Sequence, residues 1–264
     1  MSQSATTSEA NGHYWGASAE DWAAIQEPTC KPVYEAALNR LNIGYGTRYL
    51  DAGCGAGLAA QMAVVRGAQV SGIDAAENLL AIARIRVPQG DFRHGELEQL
   101  AFEAHAFGVV TGFNSFQYAA SAVTALAEAR RVTQPGGSVL IMTWGKPEGM
   151  EAASVVAALR PLLPPPPPGA PGPFALSDEA ALRALAASAG LEPIEVFDVD
   201  SPWHYANLDE ALRGLRSSGV AARAIERSGA EAVDAAHATA LTPFQQADGS
   251  YRIGATFRCL IARA

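Results

Sequence analysis

Basic residues are scarce in this sequence. Of its 264 residues, 19 are Lys or Arg and 27 are Asp or Glu, so the formal net charge is -8 at pH 7. A protein that binds nucleic acid usually carries a basic stripe that displaces the counterions of the phosphate backbone. The sequence contains no such stripe, and we therefore expect no nucleic-acid partner.

Cysteine is also rare, and long apolar runs are absent. The three cysteines, Cys30, Cys54 and Cys259, are widely spaced, so they predict neither a disulfide framework nor a metal site, and we expect no catalytic metal. No apolar stretch reaches the roughly 18 to 20 residues that a membrane span needs. The first ten residues lack the apolar run of a signal peptide, so we expect a frayed start, no membrane partner and a cytoplasmic location.

Hydrophobic residues, by contrast, are plentiful and occur in alternating segments. They make up 49% of the chain, which is enough for the core of one α/β domain with additions. Between residues 46 and 145, runs of strand length alternate with helical patterns, which is typical of a doubly wound parallel sheet with helices on both faces. The expected strands are 48–52, 69–73, 91–94, 109–112 and 138–143, and the expected helices are 58–66, 77–85 and 120–132.

The stretch from Tyr49 to Leu58, YLDAGCGAGL, predicts a strand that ends in a tight glycine turn and continues into a helix. Glycine is needed where φ is positive or where the backbone approaches a ligand closely, and the amides at a helix start favour an anion or a polar group. In the dinucleotide fingerprint G-x-G-x-x-G the third glycine would fall at Leu58. Here it falls one residue earlier, at Gly57, and Asp51 precedes the first glycine by two positions.

This turn resembles the first motif of the class I S-adenosylmethionine-dependent methyltransferases, and further motifs follow in the order of that family. They are VSGIDA at 70–75, GELEQLAF at 95–102, FGVVT at 107–111 and RVTQPGG at 131–137, the last followed by a strand. The resemblance covers roughly residues 45 to 145. It departs from the family at Gly108, which replaces an Asp, at Ala101, which replaces a Pro, and at Glu96, which replaces a shorter Asp.

The resemblance implies S-adenosyl-L-methionine as the cofactor and S-adenosyl-L-homocysteine as the product. Asp74 would hold both ribose hydroxyls, and Glu96 with the following amide would recognise the adenine edge. The residues that the resemblance implies for cofactor binding are Asp51, Gly53, Cys54, Gly55, Gly57, Asp74, Ala75, Glu96, Leu97 and Asn114. It also implies a Rossmann-like seven-stranded sheet, N-terminal lid helices and a helical insertion before the last strand.

The residues that would face a methyl acceptor are less sharply defined. Gln117 occupies a position that is often His in the family and often faces the acceptor. A general base is needed if the acceptor is an alcohol, and His204 in the segment PWHY is the favoured catalytic candidate. The other candidates are His13, His94 and His237, with Tyr14, Tyr118 and Tyr205 as weaker options. The N-terminal aromatics, including Trp15 and Trp22, either lie against the sulfonium or anchor a terminal helix.

Four segments are expected along the chain. They are lid helices at 1–44, a cofactor-binding core at 45–145, a Pro-rich linker at 146–175, and the remaining strands with an acceptor-side helical insertion at 176–264. The remaining strands are expected at 194–199 and 251–262, and Ser177 is expected to cap a helix at 178–189. The linker includes consecutive prolines from Pro164 to Pro168, which exclude a helix and favour an extended polyproline II spacer. In the resembling family the insertion, here roughly 203–243, forms the acceptor pocket.

Three functions are compatible with these motifs. The favoured one is a methyltransferase that acts on the oxygen, nitrogen or carbon of a small-molecule acceptor by in-line transfer. The second is an NAD(P)-dependent oxidoreductase, which would share the strand, turn and Asp74 but not the glycine register. The third is a protein that binds S-adenosylmethionine without methyl transfer. Several motifs in family order and an acidic chain favour the first.

Overall fold

The computed structural model describes residues 7–165 and 172–264. Its strands are β1 (Arg48–Ala52), β2 (Gln69–Asp74), β3 (Asp91–His94), β4 (Phe107–Phe113), β5 (Thr133–Trp144), β6 (Glu192–Asp200), β7 (Trp203–Tyr205), β8 (Tyr251–Ile253) and β9 (Thr256–Arg263). A seven-stranded sheet has the order β3-β2-β1-β4-β5-β9-β6, and β7 pairs with β8 in a separate small sheet.

Strands β3, β2, β1, β4 and β5 of the large sheet are parallel, whereas β9, the last strand of the chain, runs in the opposite direction. Strand β9 inserts between β5 and β6 and runs antiparallel to both. At the centre, Leu50 of β1 aligns with Ser71 of β2 and with Val110 of β4. The predicted doubly wound, Rossmann-like sheet of seven strands is confirmed.

Helices connect the strands and cover the sheet. They are α1 (Thr7–Trp15), α2 (Ala19–Asp21), α3 (Lys31–Arg40), α4 (Leu58–Val65), α5 (Glu77–Arg86), α6 (Ala122–Val132), α7 (Ala152–Ala157), α8 (Glu179–Ser188), α9 (Leu208–Arg216), α10 (Gly219–Ser228) and α11 (Ala230–Leu241). A π-helical turn, Trp22–Gln26, and a 3-10 turn, Glu27–Cys30, continue α2 into α3. Further 3-10 turns occur at Phe116–Tyr118, Arg160–Leu162, Ala175–Ser177 and Thr242–Phe244.

Neighbouring residues of a strand point to opposite faces of the sheet, and helices bury both faces. Leu50 belongs to the same buried cluster as Leu126 of α6, whereas Tyr49 belongs to the cluster that contains Leu80 of α5. The two clusters form the core on the two sides of the sheet. They hold the carboxyl ends of β1 to β4 at one edge.

The end of the chain differs from the expected single strand at 251–262. The strand is divided into β8 and β9, because the carbonyls of Gly254 and Ala255 accept hydrogen bonds from the amides of Ala152 and Ser201. The chain leaves one sheet at this point and enters the other. Strand β7, which pairs with β8, lies where the sequence suggested the start of a purely helical insertion.

The expected linker at 146–175 contains a helix. Residues 148–160 lack proline, and α7 forms there with Ala152 and Val155 buried against the α9–α11 region. The prolines begin at Pro161, which lies in a 3-10 turn. Residues 166–171, which include most of the proline run, lie outside the described residues, so a polyproline II spacer stays a prediction there.

Two helix starts also refine the expectations. The N-terminal segment, expected to be frayed through residue 10, is helical from Thr7, and residues 1–6 lie outside the described part. Helix α8 is capped by Asp178 and not by Ser177, since the Asp178 side chain accepts a hydrogen bond of 2.9 Å from the amide of Ala181. Among the described residues, no helix combines the length and apolarity needed to cross a membrane.

Candidate functional site

The glycine turn follows β1 at the carboxyl edge of the sheet. Gly53, Gly55 and Gly57 have φ values of 78°, 52° and 83°, a region that residues with a Cβ rarely adopt. A Cβ on Gly53 would lie 2.3 Å from the Cβ of Ser115, and one on Gly57 would lie 2.9 Å from the Cβ of Ala83. Glycine is therefore required here for conformation and for space.

Asp74 ends β2 beside this turn. Its Oδ2 accepts a hydrogen bond from the amide of Gly55 and its Oδ1 accepts one from the amide of Ala76, each 2.8 Å long. Burial raises the pKa of the Asp74 carboxyl, while these amides act in the opposite direction. The backbone thus fixes the carboxylate, and each oxygen keeps a lone pair for a ligand.

A cavity lies over this edge of the sheet. Its volume is about 870 Å³, counting the part open to solvent. Seven of the ten residues predicted to bind the cofactor line it: Gly53, Gly55, Asp74, Ala75, Glu96, Leu97 and Asn114. The loops after four neighbouring strands therefore meet around one cavity, as expected for a parallel sheet.

Helix α1 lines one end of the cavity. The hydroxyl of Ser8 donates to Glu96 over 2.7 Å, and the side-chain amide of Asn11 donates to the carbonyl of Tyr118 over 2.9 Å. A Cβ on Gly12 would lie only 2.3 Å from the carbonyl oxygen of Ala75. These contacts were not predicted from the sequence, although a glycine inside a helix is a sign of close backbone approach.

The start of α4 receives its anion from the chain itself. The amide of Leu58 donates to Oε1 of Glu27 over 3.2 Å, and Glu27 also forms a buried ion pair with Arg86. Arg86 donates further hydrogen bonds of 2.9 Å and 2.7 Å to the carbonyls of Ala56 and Ala23. The expectation that this helix start faces a ligand is therefore corrected at Leu58, because a distant residue fills the position.

Known proteins resemble this chain in sequence. A family model described as "methyltransferase domain" matches residues 50–141. The chain is 32% identical over 184 residues to the ubiquinone biosynthesis O-methyltransferase of Bordetella bronchiseptica, and the match covers 63% of this chain and 74% of that protein. This chain belongs to the class I S-adenosylmethionine-dependent methyltransferases.

Other relatives of this methyltransferase chain match over a shorter length or in fold alone. The ubiquinone biosynthesis O-methyltransferase of Roseobacter denitrificans is 34% identical over 117 residues, which cover 43% of this chain and 47% of that protein. The chain thus spans about half the length of several curated relatives it matches. The crystal structure of the [4+2]-cyclase SpnF has the same fold, with a TM-score of 0.63, 21% identity and coverage of 98% of this chain and 97% of that one.

S-adenosylmethionine is the cofactor of this family, and the charges of the cavity fit it. The cofactor carries a sulfonium and an ammonium group. Asp74, Glu96 and Glu98 line the cavity, while no Lys, Arg or His is among its lining residues in the described ranges. A carboxylate held by backbone amides, a space kept open by glycines and an acidic lining therefore suit a cationic nucleoside.

Three predicted cofactor residues lie beneath the turn and do not line the cavity. Asp51 is 2% exposed and accepts a hydrogen bond of 3.2 Å from the hydroxyl of Thr111, and burial raises its pKa to about 8. Cys54 is buried, and Gly57 packs against Ala83. The methyltransferase uses these positions to build the turn, so a direct cofactor contact by them has no support from the lining.

Asn114 and Gln117 form one polar unit after β4. Asn114 adopts a φ of 56°, and its amide donates to the carbonyl of Met142 over 3.1 Å. The side-chain amide of Gln117 donates to Oδ1 of Asn114. Gln117 does not itself line the cavity, so the geometry favours orientation of Asn114 over direct contact with an acceptor.

His204 is not among the residues that line the cavity, so its catalytic role stays a prediction that the lining does not support. His204 is the exposed central residue of β7 and aligns with Arg252, because the strand alternation turns Trp203 and Tyr205 inward. Three further histidines are also absent from the cavity lining: His13 and His94, which are exposed, and His237, which is buried in α11.

The insertion, residues 203–243, packs behind the N-terminal helices. None of its residues is among the described residues that line the cavity. Gly214 of α9 packs against Ile25, and Gly219 of α10 packs against Trp15. The hydroxyl of Tyr205 donates to Gln26 over 2.8 Å. Residues 203–243 therefore support the N-terminal helices beside the cavity, and an acceptor pocket formed by these residues stays a prediction.

Proposed function

We propose that this chain transfers a methyl group from S-adenosylmethionine to a small-molecule acceptor. The observation that carries the proposal is that one cavity has two chemically different ends. Asp74 and Glu96 follow β2 and β3, whereas Phe113 and Met142 lie at the ends of β4 and β5 on the other side of β1. Tyr34 packs on Phe113 with ring centroids 4.6 Å apart. The polar end suits the nucleoside, and the apolar end suits an acceptor.

The names of the curated relatives support a small-molecule acceptor. Those proteins are named ubiquinone biosynthesis O-methyltransferases, so a phenolic oxygen is the first acceptor group to test. The acidic cavity disfavours an acceptor that carries phosphate or carboxylate near its reacting atom. A cytoplasmic location belongs to this proposal, since three free cysteines suit a reducing compartment.

The chain's contribution to methyl transfer would be binding and orientation. S-adenosylmethionine supplies an activated methyl group when bound, and an in-line reaction needs both partners at near-attack geometry with water excluded. The apolar end, with Tyr34, Phe113 and Met142, would exclude water around the acceptor. Positioning of this kind accounts for much of the rate of a displacement that needs no covalent intermediate.

Apart from the carboxylates of Asp74, Glu96 and Glu98, no group that takes a proton at pH 7 lines the cavity in the described residues. Burial raises the pKa of the Cys30 thiol and of the Tyr118 hydroxyl to about 12, and it raises the pKa of Tyr34 further. Neutral thiols and phenols do not take protons at pH 7. The acceptor would therefore supply its own nucleophile, as an amine, a phenolate or a stabilised carbanion.

The test is formation of S-adenosylhomocysteine from S-adenosylmethionine with a panel of acceptors. The panel contains a catechol, a simple phenol, a primary amine and a 1,3-dicarbonyl, and it is run beside a reaction without acceptor. Acceptor-dependent product supports the proposal. Binding of S-adenosylhomocysteine without turnover across the panel would favour a binding protein or another reaction, and selective binding of NAD(P) would revive the oxidoreductase alternative.

A further inference from the structure

Trp22 presents a hydrogen-bond donor that has no acceptor in the described part of the chain. Its indole Nε1 atom is buried and unpartnered, and the ring lines the cavity. The indole N–H is a donor only, and buried donors in proteins nearly always have a partner. Trp15 packs edge-to-face on this ring with centroids 5.1 Å apart, which restrains its orientation.

The donor atom lies beside the middle of the glycine turn. Nε1 of Trp22 lies 3.5 Å from the point where a Cβ on Gly55 would stand, and Oε1 of Glu27 lies 3.7 Å from the same point. Glu27 is already engaged by the amide of Leu58 and by Arg86. The indole N–H is thus left to interact with a group that enters the cavity above the turn.

The chemistry of the cofactor identifies that group. S-adenosylmethionine and S-adenosylhomocysteine each carry an amino-acid carboxylate at the end opposite adenine, and no Lys, Arg or His among the described lining residues can neutralise it. The resemblance implies adenine at Glu96, which follows β3, and ribose at Asp74, which ends β2. Gly55 follows β1, the next strand along the sheet, so the part of the cofactor beyond the ribose would lie at the glycine turn. We propose that the Trp22 indole N–H donates a hydrogen bond to the carboxylate of the cofactor's amino-acid part.

This assignment rests on the proposed function, and ligand pairs separate the two. S-adenosylhomocysteine carries the amino-acid part, whereas 5′-methylthioadenosine has the same nucleoside and sulfur without it. Trp22→Phe keeps an aromatic ring and removes the N–H. Trp203→Phe is a matched control, because Nε1 of Trp203 is also buried and unpartnered but Trp203 does not line the cavity.

The experiment measures dissociation constants by isothermal titration calorimetry. We expect Trp22→Phe to weaken S-adenosylhomocysteine binding about tenfold, which is the loss of one charge-assisted hydrogen bond, and to leave 5′-methylthioadenosine binding unchanged. Trp203→Phe should change neither. An equal loss for both ligands, or no loss for either, overturns the assignment. Failure of the wild-type chain to bind S-adenosylhomocysteine would instead overturn the cofactor site itself.

A measurement on the wild-type chain covers the case in which Trp22→Phe does not fold. The chain contains four tryptophans, so a sample labelled with ¹⁵N-tryptophan has four indole N–H signals. One of them should move downfield on addition of S-adenosylhomocysteine and keep its position with 5′-methylthioadenosine. Identical spectra with the two ligands would contradict the hydrogen bond.

Discussion

Asp74 is the side chain on which cofactor binding should depend most strongly. Two backbone amides hold its carboxylate, so little ordering is needed when ribose hydroxyls arrive. We expect Asp74→Ala to weaken S-adenosylhomocysteine binding by about 1.5 to 3 kcal/mol, because a charge-assisted contact is lost. Titration calorimetry of the folded variant measures this change.

Asp91 provides a matched control for that substitution. It starts the neighbouring strand β3, is exposed, and pairs with Arg93 at the surface. Asp91→Ala removes the same charge from the same sheet but outside the cavity. Equal dissociation constants for Asp74→Ala and Asp91→Ala would contradict the placement of the ribose at Asp74.

His237 should make the chain sensitive to acid. It is 2% exposed, and burial, with a smaller effect of Arg216, lowers its pKa to about 4. A histidine in an unfolded chain has a pKa of about 6.5, so between pH 6.5 and 4 the unfolded chain binds a proton that the native chain does not. The free energy of unfolding therefore falls as the pH falls through this window, by at most about 3 kcal/mol.

The variant His237→Leu removes this titration. We expect its free energy of unfolding, from urea denaturation, to fall less than that of the wild type between pH 6.5 and 4. Equal slopes for the two proteins would show that His237 does not carry the acid sensitivity.

The position of single residues at the cavity could be predicted where a local motif specified them. Asp74, Ala75, Glu96 and Leu97 belong to short segments at strand ends, and all line the cavity. The position of His204 outside the cavity lining could not be predicted, because it depends on which way a three-residue strand turns its side chains. The aromatic neighbourhood of Trp22 was anticipated, but its unpartnered N–H depends on three-dimensional packing.

At the level of elements, the ion pair between Glu27 and Arg86 joins the 3-10 turn Glu27–Cys30 to the end of helix α5. The Glu27 side chain is 3% exposed and the Arg86 side chain 21% exposed, and Glu27 also caps α4 through Leu58. We expect Glu27→Ala to lower the free energy of unfolding by about 3 to 5 kcal/mol, since it leaves the charge of a largely buried guanidinium uncompensated and the amide of Leu58 without its acceptor. Urea denaturation at pH 7 measures the loss.

The pair between Arg40 and Glu195 is the control for this comparison. Its side chains are 42% and 48% exposed, and the two residues also come from distant parts of the chain. Glu195→Ala should cost less than about 1 kcal/mol, because solvent screens exposed ion pairs. Similar losses for Glu27→Ala and Glu195→Ala would contradict the role assigned to burial.

The elements from β1 to α6 were predicted with small errors, apart from β5, which begins at Thr133 and not at the expected residue 138. The bounds of β1 and β3 agree with the expected strands, and α4, α5 and α6 differ by one or two residues. Periodicity and glycine turns determine such elements locally. Strand β7 and the break between β8 and β9 were not predicted, because three-residue strands carry no periodic signal. The contacts of Glu27 were not predicted either, because they join residues 31 and 59 positions apart.

At the scale of the whole molecule, the chain is acidic and the lining of its cavity is acidic too. The net charge of -8 includes the carboxylates that line the cavity, and the described lining holds no cationic side chain. Fold class, cofactor and the position of the site were accessible from ordered motifs. The acceptor end was not, because it is assembled from Tyr34, Phe113 and Met142, which are ordinary core residues in sequence.

The most direct test of the cofactor site is a thermal-shift comparison on the wild-type chain. S-adenosylmethionine, S-adenosylhomocysteine and NAD(P) are added at matched concentrations. A ligand at about 100 times its dissociation constant adds about 2.7 kcal/mol, which raises the midpoint of a chain of this size by about 5 to 10 °C. We expect this rise with both sulfur cofactors and none with the nicotinamides. No rise with either sulfur cofactor, or a rise with NAD(P) alone, would contradict the account.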